Sequence, residues 1–129
     1  MAVVLFPDFQ LLDVAGPIAA FEIASRFVPS AYSLRLCAAQ AGAVRSSSGV
    51  ALEAKGLPTH SQMDTLLVAG GDGVDAACRD THLIRFLRRA GAQLGRTASV
   101  CSGALLLAKA GLLDNPPDHA VRLPVRTGE

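Results

Sequence analysis

The stretch Ala98-Ser99-Val100-Cys101-Ser102-Gly103-Ala104 carries the strongest indication of the fold. A short β-prone segment ends at the cysteine, and an apolar helical pattern follows from Ala104 to Ala110. A reactive side chain between a strand and a helix, with small residues beside it, is typical of a nucleophile elbow. The free N–H groups at the helix start would favour the thiolate of Cys101. The alternative is a small buried core residue, which free cysteines often are.

Strands and helices alternate along the rest of the chain as well. Short apolar runs bounded by Pro or Gly predict buried strands, and apolar residues at helical spacing predict helices between them. This alternation predicts an α/β fold with a mainly parallel sheet. The predicted strands are Ala2–Phe6, Tyr32–Ala38, two short strands within Ala43–Ala54, Thr65–Ala69 and Thr97–Val100, and the predicted helices begin near Pro17, at Asp80 or Thr81, and at Ala104.

The composition restricts the function classes. Of the 129 residues, 50% are hydrophobic and 18% are charged, which is typical of a chain that buries a core. The net charge of +1 argues against direct nucleic-acid binding by this segment. No apolar run is long enough to cross a membrane, and no signal peptide precedes the first strand. We therefore expect a cytoplasmic protein that does not associate with a membrane.

The sequence indicates neither a disulfide framework nor a metal site. The cysteines are odd in number and scattered, and the histidines lack partners at metal-ligand spacing. We therefore predict no metal and no cofactor, with Cys37 and Cys78 as structural residues. The residues concerned are Cys37, Cys78, Cys101, His60, His82 and His119.

A second candidate element of the site is the glycine pair Gly70-Gly71, which ends the predicted strand Thr65–Ala69. The carboxyl ends of parallel strands share one edge of a sheet, so this pair should lie near Cys101. Glycine lets the backbone come close to a ligand, and the N–H groups of Gly71 and Ser102 are candidate donors to an oxyanion. The alternative is a tight turn that starts a helix.

The third candidate is Asp13, which follows the first strand at the same predicted edge. A carboxylate and a thiolate repel each other, so one of the two groups would keep its proton. A protonated Asp13 could then hydrogen-bond to the sulfur of Cys101. The alternative is that Asp13 is the N-cap of the helix through Pro17.

Five segments in order resemble the ThiJ/PfpI superfamily, whose domain is similar to class I glutamine amidotransferases. The resemblance implies a flavodoxin-like three-layer sandwich, with Cys101 as the elbow cysteine and Asp13 as the acidic residue that faces it. The segments are Val3–Pro7, Leu11–Pro17, Val44–Gly49, Asp64–Gly71, and Ser99–Ala104 with Ala110–Asp114.

Within the superfamily, the resemblance is strongest to the N-terminal domain of AraC-type transcriptional regulators, the GlxA/FtrA-like group. It implies a domain that senses a small-molecule ligand and forms homo-oligomers. Isocyanide hydratases share the motifs. In them a matching cysteine attacks the isocyanide carbon, and the acidic residue transfers protons. The alternatives are thus a cysteine-dependent enzyme, such as an isocyanide hydratase or a glyoxalase-like protein, and a non-functional fragment.

Two departures from the family pattern stand out. Asp8 occupies a position that is usually Gly, and the pattern stops after Asp114, before the rest of such a domain and the regulators' helix-turn-helix domain. We therefore expect residues 1–114 to form a partial domain whose C-terminal part is missing. Residues 115–129 would be an irregular tail, translated out of frame, because Asp118-His119-Ala120 matches shifted codons of the family's Thr-Thr-His. Such a chain would leave the strand before Cys101 with an unpaired edge and would expose apolar surface.

Overall fold

The structure of the protein is a computed structural model that describes residues 1–28, 33–58, 63–94, 96–112 and 120–122. Its strands are β1 (Ala2–Val4), β2 (Arg35–Ala38), β3 (Gly42–Arg45), β4 (Ala51–Gly56), β5 (Thr65–Val68), β6 (Arg96–Ser99) and β7 (Ala120–Arg122). Its helices are α1 (Leu11–Phe27), α2 (Val74–Cys78), α3 (Thr81–Gln93) and α4 (Gly103–Lys109). In this described part of the chain, no helix has the length and apolar character needed to span a membrane.

The described strands form one sheet in the order β3-β4-β2-β1-β5-β6-β7. Every neighbouring pair is parallel except β3 and β4, which are antiparallel. The predicted α/β fold with a mainly parallel sheet is therefore confirmed. The central strands β1 and β5 are buried on both faces, and Val3, Val4 and Val68 have no exposed surface.

Helices cover both faces of this sheet. From β1 the chain crosses through α1 to β2 on one side, whereas from β5 it crosses through α2 and α3 to β6 on the other side. Right-handed crossovers in opposite directions place their helices on opposite faces. Helices α2, α3 and α4 pack together on one face, so α1 lies on the other face. The result is a flavodoxin-like three-layer sandwich, and the carboxyl ends of β1 and β5 flank the crevice in which such sheets bind ligands.

Helix α1 begins earlier than the sequence predicts. It starts at Leu11, its N-cap residue Gln10 makes no side-chain cap, and Pro17 lies inside the helix. The N-cap alternative for Asp13 is therefore wrong, because Asp13 belongs to the first turn of the helix. The start is set by the preceding loop, where the N–H of Gln10 donates to the carbonyl oxygen of Gly70 at 2.8 Å.

The other helix boundaries follow local rules more closely. Asp80 is the N-cap of α3, and its Oδ1 accepts hydrogen bonds from the N–H groups of His82 and Leu83 at 3.1 and 3.2 Å. Gly111, with a φ of +85°, directly follows the C-cap of α4, as predicted. The short helix α2, only 5 residues long, follows the glycine-rich loop, as the alternative of a tight turn that starts a helix predicts.

Part of the C-terminal segment differs from the predicted irregular tail. Ala120–Arg122 form β7, which pairs in parallel with β6. The outer side of β6 therefore has a neighbour, in contrast to the predicted unpaired edge. The physical reason is that an open edge presents a row of N–H and C=O groups that a short extended segment can pair. The rest of the predicted tail, and also Tyr32 and His60, lie outside the described residues.

Candidate functional site

Cys101 lies in the tight turn between β6 and α4. Its φ is +50°, in the left-handed region that a residue with a side chain rarely adopts. Such backbone conformations cost roughly 1–3 kcal/mol and persist where the surrounding fold imposes them, often at functional sites. The side chain is exposed, so the alternative of a buried core cysteine is wrong. The turn has the geometry expected of a nucleophile elbow.

Gly103 on the elbow and Gly70 on the facing loop after β5 let the two backbones lie in direct contact. A Cβ atom on Gly103 would lie 2.6 Å from the carbonyl oxygens of Val68 and Ala69. A Cβ atom on Gly70 would lie 2.7 Å from the carbonyl oxygen of Val100. Because both contacts are to backbone atoms, any larger residue at Gly70 or Gly103 would push the elbow away from the sheet.

The carboxyl group of Asp13 joins Cys101 to the glycine loop after β5. Its Oδ1 accepts a hydrogen bond from Sγ of Cys101 at 3.7 Å, and its Oδ2 accepts one from the N–H of Gly70 at 3.2 Å. Asp13 is only 6% exposed. Burial raises the pKa of Asp13 above its ordinary value of 3.8, although the hydrogen bonds from Gly70 and Cys101 act in the opposite direction. Asp13 therefore keeps its proton to a higher pH than a free aspartate does.

The second glycine of the loop is bonded to the residue that follows the cysteine. The N–H of Gly71 donates to Oγ of Ser102 at 2.9 Å, and the Ser102 hydroxyl lies 3.5 Å from the carbonyl oxygen of Gly71. The N–H groups of Gly70 and Gly71 are thus both engaged by side chains. Among the described residues the backbone N–H of Ser102 has no acceptor, so it is the predicted donor that is open to a ligand beside Cys101.

This arrangement supplies a reachable thiol and a proton-holding carboxyl group in direct contact. A thiol can add to an electrophilic carbon when a neighbouring acid delivers or accepts the proton. The Sγ–Oδ1 separation of 3.7 Å is within hydrogen-bond distance for a sulfur donor. The site can also hold a ligand without reaction, through the Ser102 N–H and the exposed sulfur.

The loop after β1 supports the site, a role that the sequence does not predict. The N–H of Asp8 donates to the carbonyl oxygen of Arg45 at 2.8 Å, and the carbonyl oxygen of Asp8 accepts from Gly73 at 3.1 Å. These bonds tie the loop before Asp13 to β3 and to the glycine loop after β5. Asp8 adopts a φ of +64°. The available signal is that aspartate tolerates the left-handed region at a position where the family usually has glycine.

The other cysteines lie apart from this site. Cys37 is fully buried in β2, and Sγ of Cys78 is 3.9 Å from the carbonyl oxygen of Leu105. Burial raises the pKa of both thiols, and for Cys78 the nearby carboxylate of Asp75 acts in the same direction. Cys37 therefore lies in the core, whereas Cys78 is only partly buried, and the structural role predicted for both stays a prediction.

No metal centre appears in the described part of the chain. Within those residues no group of three His, Cys, Asp or Glu side chains is placed to hold a metal ion. His82 is exposed at the start of α3, and the other two histidines of the sequence, His60 and His119, lie outside the described residues.

Sequence comparison places the chain among proteins with this fold. The model of the DJ-1/PfpI family matches residues 1–117. An uncharacterized protein from the cpoL 5′ region of Streptomyces lividans is 36% identical over 118 residues, which cover 88% of this chain and 81% of that protein. An isonitrile hydratase of Pseudomonas putida is 31% identical over 112 residues, 84% of this chain and 46% of the hydratase. An HTH-type transcriptional regulator of Mycobacterium tuberculosis is 42% identical over 62 residues, 47% of this chain and 24% of the regulator.

Solved structures show the same architecture. A ThiJ/PfpI family protein from Pseudomonas syringae superposes with a TM-score of 0.74 at 28% identity, covering 87% of this chain and 46% of that one. An AraC family transcriptional regulator from Pseudomonas putida superposes with a TM-score of 0.75 at 18% identity, covering 96% of this chain and 75% of the regulator. The chain thus spans about half the length of the hydratase and of the Pseudomonas syringae protein.

Proposed function

Because this chain belongs to the DJ-1/PfpI family, we propose that it forms the small-ligand-sensing domain of an AraC-type transcriptional regulator. Residues 1–114 would belong to this domain, and residues 115–129 would be a tail that belongs to another reading frame. A regulator of this kind acts in the cytoplasm. The identity of 42% with a stretch of an HTH-type regulator supports this proposal.

The proposal depends on the hydrogen bonds that the N–H groups of Gly70 and Gly71 make. Turnover at an elbow nucleophile needs donors that already point at the developing negative charge. Here the N–H of Gly70 donates to Asp13 and the N–H of Gly71 donates to Ser102. An oxyanion at Cys101 would therefore find only one of its two predicted donors open, the N–H of Ser102, which favours ligand binding over catalysis.

The second candidate function is a cysteine-dependent hydratase, favoured by the contact between Cys101 and Asp13. In that reaction the Cys101 sulfur forms a bond to the isocyanide carbon, and the thiol proton reaches the same carbon through Asp13. Water then adds to the resulting thioimidate, and the carbon–sulfur bond breaks to give the formamide and the free thiol. The 31% identity with an isonitrile hydratase supports this alternative.

Incubation with cyclohexyl isocyanide separates the two candidates. The measured quantity is N-cyclohexylformamide formed by the wild type, by Cys101→Ser and by the control Cys78→Ser. The sensor proposal predicts that the wild type forms no more formamide than Cys101→Ser does. Formamide production that is lost in Cys101→Ser and kept in Cys78→Ser would establish the hydratase instead.

We also propose a second copy of the chain as the partner of α1, which accounts for the expected homo-oligomer. Helix α1 is apolar on nearly all sides, yet Asp13 and Val14 are its only buried residues. A helix of this composition is normally covered on all sides. Its outer face, defined here as Leu12, Gly16, Ala19, Ile23 and Phe27, follows the helical repeat, and Leu12, Ile23 and Phe27 are 70%, 50% and 80% exposed.

This outer face is complementary to itself in an antiparallel arrangement. With the two-fold axis beside Ala19, Leu12 lies opposite Phe27 of the partner subunit, and Gly16 lies opposite the partner's Ile23. A large side chain then meets a small one near the centre, and Gly16 has open space around it, since no atom lies within 4 Å of a Cβ placed there. Such an isologous contact closes as a dimer.

The size of the face sets the expected strength of this contact. A helix of 17 residues is about 25 Å long, and its exposed strip is roughly 10 Å wide. That area is well below the roughly 800 Å² per partner of a standard interface. We therefore expect a weak dimer whose population depends on protein concentration.

A further inference from the structure

A cavity lies at the same edge of the sheet, apart from Cys101. It has a volume of about 680 Å³, within the usual range of small-molecule sites of roughly 300–1,000 Å³. It opens beyond the carboxyl ends of β1 and β2, beside β3 and the start of α3, and neither Cys101 nor Asp13 lines it. Much of its lining is buried and apolar, contributed by Leu5, Phe6, Ala38, Val44, Ala77 and Leu83.

Two residues of opposite charge line this cavity without partners of their own. Asp8 and Arg45 are joined through the backbone, since the N–H of Asp8 donates to the carbonyl oxygen of Arg45 at 2.8 Å. In the described part of the chain, neither side chain forms an ion pair or a hydrogen bond. A carboxylate and a guanidinium that form no ion pair therefore belong to residues that line this cavity, and Nη2 of Arg45 lies 3.4 Å from a Cβ placed on Gly49.

The backbone conformation at Asp8 favours a binding role for this carboxylate in the cavity. Its φ of +64° lies in the left-handed region, where glycine would be free of strain. Aspartate tolerates this region less well than glycine does, and among the described residues its side chain gains no hydrogen bond or ion pair in return. The other carboxylate that lines the cavity, Asp80, already uses its Oδ1 to cap α3.

We propose that this cavity binds a free α-amino acid with an apolar side chain. The ligand carboxylate pairs with the guanidinium of Arg45, whose planar fork suits two parallel hydrogen bonds. The ligand ammonium pairs with the carboxylate of Asp8, and the apolar side chain lies against the buried lining. This site is separate from Cys101, so it goes beyond the function proposed above and does not depend on a reaction at the thiol.

Three matched probes test the proposal by isothermal titration calorimetry. L-leucine carries both charges, 4-methylpentanoate lacks the ammonium group, and 3-methylbutylamine lacks the carboxylate. We expect each analogue to bind about tenfold more weakly than L-leucine, or weaker still, which is the size of one lost charged hydrogen bond. Absence of L-leucine binding, or equal binding of the three probes, overturns the proposal.

Charge-removing variants locate the two contacts. Asp8→Asn keeps a residue that tolerates positive φ, so the fold is retained while the ammonium partner is lost. It should weaken L-leucine by about tenfold and leave 4-methylpentanoate unchanged, whereas Arg45→Gln should weaken L-leucine and leave 3-methylbutylamine unchanged. If both variants bind all three probes as the wild type does, the proposal is wrong.

Control variants keep this test independent of the regulator proposal. Asp75→Asn and Arg89→Gln remove exposed charges that do not line the cavity, and both should bind L-leucine as the wild type does. Cys101→Ser should also leave L-leucine binding unchanged. Loss of binding in Cys101→Ser would place the amino acid at the elbow and overturn the separate site, whatever the fate of the regulator proposal.

Discussion

Sγ of Cys101 lies 3.7 Å from Oδ1 of Asp13, although 88 positions separate the two residues in the chain. The contact exists because Cys101 follows β6 and Asp13 follows β1, at the same edge of a parallel sheet. The carboxyl group is held in place by its other oxygen, which accepts a hydrogen bond from Gly70. This relationship makes the protonation state of Asp13 the property on which the chemistry of the site depends.

Replacement of Asp13 by asparagine should change how stability depends on pH. Because burial raises the pKa of Asp13 above 3.8, the folded state holds the proton more tightly than the unfolded state does. The contribution of Asp13 to stability is therefore complete below the unfolded-state pKa and is lost as the pH rises through the folded-state pKa. The asparagine side chain would not titrate, and its amide oxygen can still accept from Gly70. The free energy of unfolding of Asp13→Asn should thus increase relative to that of the wild type as the pH rises from about 4.

Urea denaturation at a series of pH values measures this difference. Glu53→Gln removes an exposed carboxylate on β4 and serves as the control for the loss of one negative charge. A difference between Asp13→Asn and the wild type that stays constant, or falls with rising pH, would show that the carboxyl group is not stabilised in its neutral form.

The three cysteines should react with iodoacetamide in a defined order. Cys101 is exposed, whereas burial raises the pKa of both Cys37 and Cys78 and so reduces their thiolate fraction. Peptide mass spectrometry over a time course should find Cys101 modified first and Cys37 modified only after unfolding. Modification of Cys78 before Cys101 would argue against an accessible elbow cysteine.

The glycine loop after β5 should be intolerant of a methyl group at one specific position. A Cβ atom on Gly73 would overlap the carbonyl oxygen of Pro7, a backbone atom that cannot move aside without shifting the loop before Asp13. We expect Gly73→Ala to lower the free energy of unfolding by about 1–3 kcal/mol. The matched control is Gly56→Ala at the end of β4, where no atom lies within 4 Å of the added Cβ. Equal stability of the two variants, measured by chemical denaturation, would contradict the close packing of these loops.

A charge on the outer face of α1 should prevent self-association. Sedimentation velocity over a range of concentrations should show a monomer–dimer equilibrium for the wild type and only monomer for Ile23→Glu. Leu105→Glu is the control, because Leu105 is 47% exposed, close to the 50% of Ile23, but lies on α4 at the other face of the sheet. Dimers that persist in Ile23→Glu and disappear in Leu105→Glu would show that the interface lies on α4 and not on α1.

The parts of the fold that depend on neighbouring residues could be predicted from the sequence. The turn at Cys101 between a strand and a helix can be predicted from its small neighbours, and the cap of α3 from Asp80, because both features arise within a few residues. The parallel sheet followed from the alternation of apolar runs. The sequence also places Asp13 at the same sheet edge as Cys101, because both residues follow the carboxyl ends of parallel strands, whereas its facing Cys101 is what the resemblance implies.

The features that depend on contacts between distant segments could not be predicted. Helix α1 starts before Pro17 because the loop at Gln10 is bonded to Gly70, which no local rule reveals. The N–H of Gly71 was assigned to a ligand, but its bond to Ser102 depends on the detailed path of two loops. The pairing of β7 with β6 likewise depends on an open sheet edge and not on the propensity of the tail.

The central claim, that this chain is the sensor domain of an AraC-type regulator, is tested most directly by the coding DNA from codon 114 onward. All three forward frames should be read over several hundred bases. The account predicts that one frame continues with the rest of the sandwich and then encodes a helix-turn-helix domain. A frame that completes the sandwich and stops there would contradict the regulator assignment and favour the hydratase.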